Sequence, residues 1–155
     1  MPAERMVLMK KYIAYGSNLN IEQMNRRCPN ATIAATGYIP DWRLAFMGNG
    51  GSGNYLNIIP AEGYRVPVAI WNVTDEDERN LDIYEGFPRF YIKQNMTVFG
   101  DNGDLIEAFA YIMNPEFGPV IGKPSTMYVR TCQQGYYDFK FDTQDLYNAL
   151  AFSLN

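Results

Sequence analysis

Apolar residues fall in short runs broken by Gly, Pro, Asn and Asp, so strands with brief helices between them are expected rather than a helical bundle. The first run, Tyr12-Ile13-Ala14-Tyr15, is aromatic and β-branched and predicts a buried strand. It breaks into Gly16-Ser17-Asn18, and Asn20 then offers an N-cap, with Gln23 at the capping-box offset. A helix from Ile21 to about Cys28 follows, stopped by Pro29-Asn30. Strands are expected over 32–39, 42–47, 55–59 and 66–73, with turns at Pro40-Asp41 and at 61–64. The 66–73 run is apolar on both faces apart from Asn72, as in a central strand, and Pro67 places an edge or bulge near its start.

Thr74 caps a helix that opens on Asp75-Glu76-Asp77-Glu78 and stops at Gly86. Those acids are expected on a solvated helix face. Runs 91–99 and 105–113 flank Asp101-Asn102-Gly103-Asp104, a strong hairpin signal. Ser125 caps a helix ending near Gly135, and Thr143 caps a last amphipathic helix carrying Leu146, Tyr147, Leu150 and Leu154. The glycine-rich residues 48–54 lack the Lys-Ser/Thr of a phosphate loop and introduce no helix, so they are expected as a mobile rim beside a site. Six or seven strands with three or four helices make one α+β domain over residues 1–155, with a core at about 11–135 and a C-terminal helix at about 143–154.

Composition narrows the chemistry. Across 155 residues, 47% are hydrophobic and only 19% charged, which fits one folded domain. A net charge of -4 with scattered basic residues disfavours nucleic acid as a partner. No apolar run reaches the length of a membrane span and the N-terminus lacks a leader's apolar segment, so a soluble cytoplasmic protein is expected, with no membrane partner. There is no histidine, which removes Ser-His and Cys-His nucleophilic systems and histidine metal ligands. Cys28 and Cys132 cannot make a zinc site alone and lack CxxC spacing; they are expected as reduced thiols, with no base near Cys132. Proton transfer must then fall to carboxylates, tyrosines or lysines.

Two stretches suit such chemistry. The Gly16-Ser17-Asn18 turn, between a strand and a helix, presents backbone N–H groups to an anion or a carbonyl oxygen, unless it is an ordinary strand-to-helix turn. Glu85 sits at a helix C-terminus among Tyr84 and Phe87, where the dipole and desolvation both raise a carboxyl pKa, unless it points to water.

Tyr15-Gly16-Ser17-Asn18-Leu19 resembles the signature loop of the gamma-glutamylcyclotransferase-like superfamily, which includes the avirulence-induced-gene-like proteins. Leu81-Asp82-Ile83-Tyr84-Glu85-Gly86 with Tyr91 beyond it resembles that family's second motif. Ala108-Phe109-Ala110-Tyr111 and Pro124-Ser125-Thr126-Met127-Tyr128, with Gly135 following, resemble the next two, in the family's order. The resemblance implies a mixed sheet curled into a small barrel with flanking helices. It implies conversion of a small-molecule gamma-glutamyl amide to 5-oxoproline and a free amine, with no metal or cofactor. The catalytic glutamate would be Glu85. The backbone of Gly16, Ser17, Asn18 and Leu19 would hold substrate oxygens, and Tyr15 and Tyr128 would wall the pocket. Ser17 would not be a nucleophile, because the substrate's own amine attacks. Arg89 is tempting as a carboxylate clamp, but the family pattern does not require it, and it is taken as an exposed arginine. Two alternatives stand beside this: release of gamma-glutamyl groups from amines rather than amino acids, and a catalytically silent small-molecule binding domain. The sequence leaves the leaving amine and the oligomeric state open.

Overall fold

The computed structural model describes residues 8–51 and 53–154. Most of the amino-terminal stretch inspected for a leader, and Ser52 of the glycine-rich loop, lie outside them. Five strands close on themselves: β1 (Lys10–Ala14), β2 (Thr32–Gly48), β3 (Asn54–Val73), β4 (Tyr91–Gly100) and β5 (Leu105–Met113). Around the barrel the order is β3-β1-β5-β4-β2, and pairing of β2 with β3 closes it. Only the β1–β5 pair, registered at Tyr12 and Phe109, is parallel, so the sheet is mixed. A short β6 (Val120–Ile121) adds to the end of β2. The helices are α1 (Ile21–Arg27), α2 (Asp75–Glu85), α3 (Thr126–Asp138) and α4 (Gln144–Ser153). This is the expected α+β barrel.

The barrel fills with the side chains that alternate inward. Ile13, Phe46, Ile58, Val68, Ile70 and Val98 are wholly or almost wholly buried, each contributing about 1.5–3 kcal/mol of transfer free energy. Among the described residues no helix is long and apolar enough to cross a membrane.

Two expected turns are not strand ends. Pro40-Asp41 and residues 61–64 face each other across one ribbon, so β2 and β3 run on through them. Asp41 takes a left-handed φ of 63° and its carboxylate accepts the Gly63 N–H at 3.0 Å, while Gly63 has φ 84°. The paired irregularity bends the ribbon without ending its ladder. The expectation for Pro67 fits: it precedes Ala69, where β1 takes up the second side of β3.

The helix starts also differ in detail. Asn20 Oδ1 accepts the Gln23 N–H at 3.0 Å, but the Gln23 amide donates to the Ser17 carbonyl at 2.9 Å instead of returning to the cap. At α4 the acceptor is Asp142, which takes the Gln144 N–H at 2.9 Å; Thr143 makes no side-chain cap. The acids of α2 are not all solvated. Asp77 completes a capping box with Thr74 and is fully buried, and Glu78 bonds Lys10 at 2.8 Å and Lys93 at 2.7 Å.

Candidate active site

β1 delivers Tyr15 to the barrel's end, and the chain then makes one tight 3-10 turn, Ser17–Leu19. The Leu19 N–H donates to the Gly16 carbonyl and the Asn20 N–H to the Ser17 carbonyl, both at 3.0 Å. Those bonds leave the Ser17 and Asn18 N–H groups without an acceptor among the described residues, as expected for the opening of a helical turn. The turn is held from every side. Asn18 Nδ2 donates to the Tyr12 hydroxyl at 2.9 Å, and Asn18 Oδ1 accepts from Arg27. A Cβ at Gly16 would lie 3.3 Å from Leu56 Cβ and 3.5 Å from the Tyr128 hydroxyl, so glycine allows the close approach.

α3 supplies the turn's backing. The Ser125 hydroxyl accepts the Tyr128 N–H at 3.1 Å and starts the helix. The helix does not end near Gly135 as its glycine suggests, but continues to Asp138. Gly135 serves contact: a Cβ there would sit 2.6 Å from the Asn20 nitrogen and the Leu19 carbonyl carbon. The Tyr128 hydroxyl accepts the Leu56 N–H at 3.1 Å, while the Tyr91 hydroxyl donates to the Leu56 carbonyl at 3.1 Å.

A cavity of about 1120 Å³ opens beside this turn. Tyr15, Gly16, Ser17, Asn18, Glu85 and Tyr128 all line it, so residues from β1, α2 and α3 meet at one place. Leu19 does not line it; its side chain is wholly buried and its N–H is taken. Gly48, Asn49, Gly51 and Gly53 put the glycine-rich loop on the rim. Glu85 and Arg89 are the only charged side chains on the wall among the described residues. Arg89 is exposed as expected, but onto the cavity.

Glu85 is the last residue of α2, which Gly86 closes in a left-handed conformation with φ 67°. The residue as a whole is half-buried, but protein atoms surround its carboxyl. Burial raises its pKa to about 7, against a smaller downward pull from Arg27. The guanidinium of Arg27 lies over the Tyr84 ring, 3.1 Å from its centroid, and burial lowers its own pKa. Asp82, one turn before Glu85, accepts the Tyr111 hydroxyl at 2.6 Å and pairs with Lys93 at 2.8 Å, so it is tied into the wall behind the site. The Tyr15 hydroxyl donates to the Tyr111 carbonyl at 2.6 Å. Cys132 is buried, and burial pushes its thiol up to about 12, far from a thiolate nucleophile. Among the described residues Ser17 Oγ meets only Arg27 Nη1, at 3.5 Å, and has no base beside it.

Sequence reasoning missed Arg27, because a basic residue in a helix's last turn already has a dipole role. It also missed Tyr12, Tyr55 and Tyr111 as lining residues. Tyr12 and Tyr111 are buried like any barrel-interior residue and Tyr55 is half-exposed, so none carries a separate signal for a cavity.

A sequence profile of the family described as "Gamma-glutamyl cyclotransferase, AIG2-like" matches residues 12–137. The chain belongs to this family. Its relatives include the gamma-glutamylcyclotransferase of Homo sapiens, 28% identical over 132 residues, covering 80% of this chain and 68% of the relative. The enzyme of that name from Bos taurus is 29% identical with the same coverage. A solved gamma-glutamyl cyclotransferase superposes with a TM-score of 0.76 at 24% identity, covering 86% of each chain. YkqA from Bacillus subtilis superposes at 0.75 with 11% identity, covering 95% of this chain and 55% of that one. These structural likenesses are of fold. Each sequence motif of the AIG2-like family pattern lies within the matched residues.

Proposed function

We propose that this protein is a gamma-glutamyl cyclotransferase, converting a gamma-glutamyl amide to 5-oxoproline and a free amine with Glu85 as base and then acid. The observation that carries the proposal is the meeting of Glu85 and the Gly16-Ser17-Asn18 turn on one cavity. Family membership and the named relatives support the same chemistry.

The substrate's α-amine attacks its own γ-carbonyl carbon. A new C–N bond closes a five-membered ring, and the carbonyl oxygen gains charge. The N–H groups of Ser17 and Asn18 are the donors available to that oxygen. Glu85 takes one proton from the attacking nitrogen. When the old C–N bond breaks, Glu85 returns that proton to the departing amine, which leaves neutral. A carboxyl with a pKa of about 7 suits both halves, since it is ionised often enough to accept and acidic enough to return. Ring closure within one bound molecule supplies its own proximity, so no protein nucleophile is required.

The test is a panel of gamma-glutamyl amino acids and gamma-glutamyl amines, incubated with the protein and read for 5-oxoproline. Release from at least one compound, lost in Glu85→Gln, is expected. Binding without release of 5-oxoproline from any compound would replace the proposal with a silent binding domain.

A further inference from the structure

The cavity is larger than cyclisation alone needs. At about 1120 Å³ it exceeds the roughly 300–1,000 Å³ that holds a whole drug-sized ligand. Glu85 marks the reacting end, where the glutamyl amine, carboxylate and γ-carbonyl must all gather. Beyond it the wall continues into a differently built part. From Gly86 the chain doubles back, with the Arg89 and Phe90 N–H groups donating to the Gly86 carbonyl at 2.9 and 2.8 Å. This fixes Arg89 on the rim. Its guanidinium carbon lies 5.6 Å from the Phe90 ring centroid and 5.8 Å from that of Phe117. The two rings are 5.8 Å apart, and Phe90 and Phe117 remain 57% and 48% exposed although both line the cavity. The Asn114 amide donates to the Arg89 carbonyl at 3.1 Å and ties this corner to the loop after β5. Among the described residues Arg89 has no acidic partner within 4.0 Å. Among the described residues this cation is thus held against two open aromatic faces, on a wall whose only other charge is Glu85.

We propose that Arg89, Phe90 and Phe117 form the leaving-group subsite, and that Arg89 selects leaving amines that carry a carboxylate beside an apolar side chain. The substrate class is then a gamma-glutamyl derivative of an apolar α-amino acid rather than of a simple amine. The planar fork of arginine matches a carboxylate, and the two rings receive the apolar side chain. The specificity assignment rests on the cyclisation proposed above.

Two compounds isolate the carboxylate: gamma-glutamyl-phenylalanine and gamma-glutamyl-phenethylamine, which differ only by that group on the leaving side. Each is given to the wild type, Arg89→Gln and Arg89→Lys, with 5-oxoproline as the readout. Each is also titrated by calorimetry into the same three proteins carrying Glu85→Gln. The wild type is expected to favour the phenylalanine compound by ~10–100-fold in kcat/KM, the scale of one charge-assisted hydrogen bond. Arg89→Gln removes that preference by raising KM for the phenylalanine compound and leaves the phenethylamine compound unchanged. Arg89→Lys keeps part of the preference. Equal losses on both compounds would place Arg89 on the glutamyl carboxylate or in the fold, and overturn the proposal, as would a wild type with no preference. If neither compound yields 5-oxoproline, the cyclisation fails separately, and the calorimetric affinity ratio still decides Arg89: a preference lost in Arg89→Gln upholds the subsite, and no preference refutes it.

Discussion

Replacing Glu85 by Gln should make the protein slower and more stable at once. The two effects share one cause. Burial lifts the Glu85 pKa from 4.5 to about 7, so the folded state holds this proton more tightly than the unfolded chain does. Below about pH 4.5 both states are protonated and the group is neutral in its effect. As pH rises from there through 7, the unfolded chain ionises first and folding loses stability. At 1.36 kcal/mol per pKa unit the shift corresponds to roughly 3 kcal/mol above pH 7. Because the residue as a whole is only half-buried, this is discounted to about 1–2 kcal/mol. Gln removes the ionisation and keeps the shape. Glu85→Gln should therefore match the wild type in urea unfolding at pH 4 and exceed it by about 1–2 kcal/mol at pH 8. Its kcat should fall by about 10²–10⁴, the usual contribution of a general acid–base group, with substrate binding retained. Equal stability of the two proteins at pH 8 would refute the desolvated carboxyl. A folded variant turning over within a few-fold of wild type would place the proton transfer elsewhere.

Three further outcomes follow from the same geometry. The Arg27 cation holds the Glu85 pKa down, so Arg27→Met should move the acidic limb of the kcat/KM profile to higher pH, while Arg27→Lys moves it less; an unmoved limb excludes the coupling. Asp82→Asn weakens the bonds to Tyr111 and Lys93 and should lower unfolding stability by about 1–3 kcal/mol. Its kcat should stay near wild type, and a collapse of kcat in a folded variant would put Asp82 in the chemistry. Gly135→Ala drives a Cβ to 2.6 Å from the backbone of Leu19 and Asn20. About 1–3 kcal/mol of destabilisation in thermal melts is expected, together with a lower kcat from the displaced turn, and an unchanged melting temperature would contradict the contact.

Local chemistry made the element types legible. Asn20, Thr74 and Ser125 accept their cap bonds where the sequence places them, Gly86 ends α2, and Gly103 turns the β4–β5 hairpin with φ 92°. What misled were residues whose role is set by a distant partner. Asp41 and Gly63 look like breakers one at a time, and only the bond between them across the ribbon reveals a bend. Gly135 looks like a helix stop, but its missing Cβ is needed by a turn more than a hundred residues earlier. Glu78 looks solvated until Lys10 and Lys93 arrive from β1 and β4. In the site, Glu85, Tyr15, Gly16, Ser17, Asn18 and Tyr128 come together, and Leu19 turns away because its side chain and its N–H are both needed to build the turn. Arg89 could not be placed from sequence, since the fold around Gly86 decides whether it faces bulk water or the cavity.

The tyrosines explain how the site keeps a carboxyl near neutrality without a histidine. Tyr12, Tyr15, Tyr91, Tyr111 and Tyr128 all line the cavity with Glu85. Five hydroxyls around a carboxylate would ordinarily hydrogen-bond to it and lower its pKa. Among the described residues none of the five hydrogen-bonds to Glu85, and three of them donate elsewhere. Tyr15 donates to the Tyr111 carbonyl, Tyr91 to the Leu56 carbonyl and Tyr111 to Asp82, while Tyr12 accepts from Asn18 and Tyr128 from the Leu56 N–H. The rings then displace water from Glu85 without their hydroxyls stabilising its charge, and desolvation prevails over the single opposing cation, Arg27. The same bonds pin Leu56, Asn18 and Asp82, so the groups that shape the cavity also fix the turn and the end of α2 relative to each other.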